Sequence, residues 1–117
     1  MTRYEMGKYW LLHTLEAYRD TPQDAPERKF IDRIIGASRR AAGNSPEEKR
    51  LHNLAVLRYI TDTRPSKQRI CKALHVGRQT YEIGTAHAID RLLVLAFGFN
   101  GINWNGEARA NDMYETL

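Results

Sequence analysis

Five residues in the C-terminal half have side chains of the types that read base-pair edges. Arg78, Gln79, Glu82, Ile83 and His87 follow one another at one-, three- and four-residue steps, which places them on one broad face of a helix. An arginine pairs bidentately with guanine and a glutamine with adenine, a glutamate accepts from cytosine N4, and an isoleucine touches a thymine methyl. Each good bidentate contact is worth ~1–3 kcal/mol of discrimination. Six further residues, Arg64, Lys67, Arg69, Lys72, Thr80 and Arg91, are of types that hold phosphate and fix register without reading sequence. His75 and His87 can add charge beside a polyanion. The expected chemistry is recognition of double-stranded DNA, with no bond made or broken.

Charge is concentrated on the same stretch. The chain carries 18 Lys and Arg against 14 Asp and Glu, a formal +4. Residues 1–63 contribute +2, residues 64–91 contribute +4 and residues 92–117 contribute −2. A surplus of this size does not by itself specify a nucleic-acid partner, and a solvated helix face is the bland alternative. Its placement carries the argument.

The elements that must position these residues are helices. The sequence predicts an all-α single domain over residues 1–117 with about five helices. Residues 1–44 form an N-terminal helical pair, 45–98 a helix-turn-helix core and 99–117 a tail. A first helix is expected over 3–19, with Tyr4, Leu11, Leu12, Leu15 and Tyr18 at helical steps. The prolines of the 20–26 linker stop it. A second covers 27–41, with Phe30, Ile31, Ile34 and Ile35 as its apolar stripe. Ser45-Pro46-Glu47-Glu48 predicts a capping box for a third helix reaching residue 61.

A short fourth helix over 66–75 and a fifth over 78–97 flank the break His75-Val76-Gly77. A short helix, a tight turn and a second helix are what major-groove recognition requires. Tyr81, Gly84, Ala88 and Leu92 share one face of the fifth helix, which should turn inward, with Gly84 a close crossing point. Two Asn-Gly turns, 100–101 and 105–106, mark the tail, and a short helix is expected over 107–115.

Leu74-His75-Val76-Gly77-Arg78-Gln79-Thr80-Tyr81 followed by Ala88-Ile89-Asp90-Arg91-Leu92 resembles the DNA-binding C-terminal region of bacterial sigma factors. The closer likeness is to phage-encoded late transcription activators of the RinA and ArpU type. In these a sigma-like helix-turn-helix is followed by an ending read here as Leu93-Val94-Leu95-Ala96-Phe97-Gly98. The resemblance covers about residues 46–98, and Leu15-Glu16-Ala17-Tyr18-Arg19 is in keeping with it. It implies activation of phage late genes in the cytoplasm of a bacterial host. Three departures stand out: Gly77 replaces the usual Ser or Thr cap, His75 replaces a turn glycine, and the recognition helix is poorer in Lys and Arg. They leave room for a partner such as RNA polymerase to supply part of the affinity.

Other chemistry finds little support. A lone cysteine, Cys71, gives no disulfide framework. Cys71 and His75 are four apart, but two ligands do not make a structural zinc site, and Cys71 is expected as a small buried side chain. His13, His52 and His87 fall on three different helices, and no catalytic triad, phosphate-cradling glycine loop or carboxylate pair is readable. No enzyme activity, cofactor or metal is expected. The N-terminus does not read as a signal peptide, and no apolar run approaches the ~18 residues of a membrane span. Tyr4, Tyr9, Trp10 and Tyr18 suggest an interface, with a two-fold homodimer the commonest form. Two alternatives keep the fold: a protein-interaction module that binds polymerase or a phage protein without touching DNA, and a small DNA-packaging subunit.

Overall fold

The structure is a computed structural model and describes residues 2–98. Thr2 opens α1 (Arg3–Ala17), its hydroxyl accepting from the Glu5 amide at 3.2 Å. A 3₁₀ turn, Tyr18–Asp20, closes that helix. α2 (Pro26–Ala42) starts at Pro26 itself, one residue before the expected position, because a proline at the first helical position has no amide to leave unbonded. α3 (Pro46–Ala55) follows Ser45, α4 (Lys67–Leu74) follows Ser66, and α5 (Arg78–Phe97) follows Gly77. The protein is all-α, with five helices among the described residues. The tail, its two Asn-Gly turns and the helix expected over 107–115 lie outside the described residues.

Two local expectations are corrected. The capping box at Ser45 is half made. Ser45 Oγ accepts from the Glu48 amide at 3.3 Å, but the Ser45 amide donates to the Ala42 carbonyl at 3.0 Å. The Glu48 carboxylate is taken by Arg91 instead. The stretch read as the end of the third helix is also not regular. Val56–Ile60 forms a π-helical turn, closed by the Thr61 amide on the Val56 carbonyl at 3.0 Å. A π turn leaves carbonyls that the α ladder no longer uses. Arg19 reaches across to this end of the helix, donating to the Leu57 carbonyl within the turn at 3.1 Å and to the Thr61 carbonyl just past it at 2.5 Å.

One large core joins the N-terminal pair to the C-terminal half. Leu11, Leu15 and Tyr18 meet Phe30, Ile31 and Ile34 of α2, with Leu51 of α3 and Leu92, Leu93 and Phe97 of α5. Trp10 packs edge-on against Phe30 at 5.4 Å and Phe97 at 6.0 Å between ring centroids. Trp10 and Tyr18, read as interface anchors, are thus used inside the fold. Tyr4 and Tyr9 remain exposed. The inward face of α5 is also wider than its four predicted positions. Ile89, Leu93 and Phe97 are buried too, because α1 and α2 cover the side of α5 that the α3–α4 pair leaves open. No helix among the described residues is long and apolar enough to cross a membrane.

His52 is the one buried polar side chain among the described residues. Its Nδ1 lies 2.9 Å from Ser38 Oγ. Burial, then the nearby Arg39, push its pKa below the ordinary histidine value. The unfolded chain therefore binds a proton at His52 more readily than the folded one, so stability falls as pH drops below about 6.5. The unfolding midpoint in urea should fall between pH 7 and pH 5, and more steeply than in His52→Gln. Equal slopes for the two proteins would assign the pH dependence to other groups.

Candidate nucleic-acid interface

The helix-turn-helix has a small core of its own. Leu54 of α3, Ile70 of α4 and Tyr81 of α5 are buried together, with Leu57, Leu74 and Val76 packed against them. Cys71 belongs to this group but is only half-buried. The turn is set by the end of α4. The His75 amide donates to the Lys72 carbonyl at 3.3 Å and the Val76 amide to the Cys71 carbonyl at 3.0 Å. This pair of bonds is the Schellman arrangement, which needs a left-handed residue. His75 supplies it at φ 56°, where glycine would be unstrained. Val76 then folds back onto Cys71, and Gly77, extended at φ −82° and ψ 172°, opens α5.

Gly84 fixes how closely α5 lies against α3. A Cβ there would stand 3.0 Å from Leu54 Cδ2 and 3.8 Å from Leu51 Cδ2. The inward position predicted for it is a close crossing. With that face down, Arg78, Gln79, Glu82, Ile83 and His87 all come out exposed on the first half of α5. Ile83 is 51% exposed.

The cations divide into two groups. Arg64 meets Asp20 at 2.6 Å, Arg91 holds Glu48 through Nε and Nη2 at 2.9–3.2 Å, and Lys67 is paired with Glu82. Arg91 lies 13 residues beyond Arg78, about 20 Å along the helix axis. It stands beside the start of α3, one turn of helix beyond His87. Among the described residues, Arg69, Lys72 and Arg78 have no carboxylate partner and are exposed. Thr80 is exposed beside them.

Lys67 and Glu82 join the two helices of the motif. The Lys67 ammonium also lies 5.1 Å from the centre of the Tyr81 ring. On the same ring the Arg58 guanidinium lies at 5.2 Å, and its Nη1 donates to Thr85 Oγ1 at 3.1 Å. The Lys67 hydrogen bond holds the Glu82 carboxyl below the ordinary carboxylate range.

Sequence reading missed Arg50. It is exposed on α3 and lines a groove of about 200 Å³ with Thr80, Ile83 and His87. Nothing in the linear spacing links residue 50 to residue 83; the α3–α5 crossing at Gly84 does. Among the described residues, no group of three His, Cys, Asp or Glu comes together in a way that could hold a metal ion. Comparison of the chain with family models, curated proteins and solved structures finds no match.

Proposed function

We propose that the protein is a sequence-specific DNA-binding transcriptional regulator that docks the first half of α5 into a major groove. The observation that carries this reading is the exposed face formed by Arg78, Gln79, Ile83 and His87 on a helix-turn-helix with its own core. Arg69 and Lys72 stand exposed and carboxylate-free on the preceding helix, where phosphate would lie. The resemblance of residues 46–98 extends the proposal to activation of phage late genes in a bacterial cytoplasm, with RNA polymerase as a second contact.

The test is a salt titration of binding to duplex DNA. Affinity should fall steeply with salt, at ~0.9 per phosphate contact in log–log slope. Replacing Lys67, Arg69 and Lys72 together with alanine should weaken binding to every sequence and flatten that slope by roughly two. Arg78→Ala should instead relax preference at one base pair. Absence of duplex binding at low salt would overturn the reading.

One observation favours a protein partner as the alternative. Exposed Ile83 borders a groove whose floor is Leu51, Leu54, Leu74 and Val76, an apolar surface that a partner's side chain can enter. A DNA-free complex that is lost in Ile83→Glu, with no duplex binding by the parent protein, would establish it.

A further inference from the structure

The ion pair between α4 and α5 lies where the proposed interface needs a free cation. Lys67 stands in the first turn of α4, two residues before the carboxylate-free Arg69 and five before Lys72. Its ammonium is taken up by Glu82 and rests over the Tyr81 ring. Both members are solvent-accessible, with side chains 40% and 54% exposed. The contact is therefore not sealed in the core, and an exposed pair of this kind is weak enough to exchange partners. A phosphate brought to α4 meets a lysine whose counter-charge is already supplied from within the chain. Binding there releases fewer counterions than the count of basic side chains implies, because cations condensed on the duplex are released only where a phosphate is neutralised, and a lysine held by Glu82 neutralises none.

We infer that Glu82 acts as an internal competitor for DNA phosphate, withholding Lys67 from the backbone, and does not read a base. The inference rests on the DNA-binding reading and assigns Glu82 a positioning role within it. The geometry favours this role on two grounds. Glu82 reaches across to Lys67 on α4, whereas Gln79 and Ile83 are exposed and carry no charge that would pair with a neighbouring helix. Its hydrogen-bonding capacity is also engaged by an ammonium that a cytosine amino group would have to displace. The carboxylate thus sets how strongly the motif holds any duplex, and base choice is left to Arg78, Gln79, Ile83 and His87.

The experiment compares the full chain, Glu82→Gln, Lys67→Ala and the double variant, binding a set of duplexes that differ at single base pairs, across a range of salt. Glutamine keeps the shape of the side chain and removes the charge. Glu82→Gln should raise affinity for every duplex by about five- to tenfold at 0.1 M salt and steepen the log–log slope by ~0.9, as one regained phosphate contact requires. In the Lys67→Ala background the same change should give little or no gain, because the two residues act as one unit. Thermal midpoints measured alongside should differ little, which separates the effect from folding. Three results overturn the inference. One is weaker binding, or altered preference confined to one base pair, in Glu82→Gln, which would make Glu82 a base reader. Another is an equal gain with and without Lys67, which would make it a general repulsion. The third, no duplex binding by the parent protein, would overturn the DNA reading and this inference with it.

Discussion

Leucine in place of Gly84 is expected to lower stability by about 3 kcal/mol, the upper end of what overpacking costs. The added Cβ alone meets Leu54 Cδ2 at 3.0 Å, and the further carbons of leucine press on Leu54 and Leu51 or turn into the groove that Gly84 lines. Pressure on Leu54 falls on the small core that joins it to Tyr81 and Ile70. The exposed face of α5 then loses its fixed angle to α4, so on the proposed DNA-binding function duplex affinity should drop with stability. Alanine is the informative control. Its single methyl needs only a small shift of a flexible leucine terminus, and alanine gains about 1 kcal/mol over glycine inside a helix. Gly84→Ala should therefore stay within roughly 1 kcal/mol of the parent. The check is chemical denaturation of the three proteins side by side. A leucine variant as stable as the parent would show that the crossing is not tight.

Loss of Arg19 is expected to cost about 2–3 kcal/mol, from hydrogen bonds donated by a charged group to two backbone carbonyls. The Arg19 guanidinium spans the Leu57 carbonyl, inside the π turn, and the Thr61 carbonyl just past it, and the Thr61 hydroxyl also donates to the Leu57 carbonyl at 3.3 Å. Arg19→Ala uncovers the Thr61 carbonyl and leaves the Leu57 carbonyl to the Thr61 hydroxyl alone. Arg19→Lys should recover little, because an ammonium on a flexible stem does not present the fixed fork of a guanidinium. The same arginine ties the end of α1 to the segment that leads into α4, so its removal should also raise amide exchange at residues 57–61. Unchanged exchange there, with stability near that of the parent, would mean that water satisfies these carbonyls equally well.

Helix number, order and most boundaries were legible in the sequence, because they rest on local chemistry. Hydroxyl caps at Ser45 and Ser66, prolines at Pro26 and Pro46, and the break at residues 75–77 act within four residues of themselves. The inward position of Gly84 was legible for the same reason: helical periodicity alone puts it in line with Tyr81 and Ala88. The exposed positions of Arg78, Gln79, Ile83 and His87 follow from the same periodicity.

What escaped the sequence depends on contacts between distant residues. Arg19, 38–42 residues earlier, bonds the Leu57 carbonyl of the π turn and the Thr61 carbonyl just past it. Glu48 leaves its capping box because Arg91 stands 43 residues away in sequence and beside it in space. The divided roles of the cations arose in the same way. Composition counts Arg64, Lys67 and Arg91 as free positive charge, and folding gives each a carboxylate. Local periodicity determined which residues face outward. The packing of α5 against α3 and α4 decided which of them remain charged and unpaired, because ion pairing depends on separations of a few ångströms that only the tertiary structure sets.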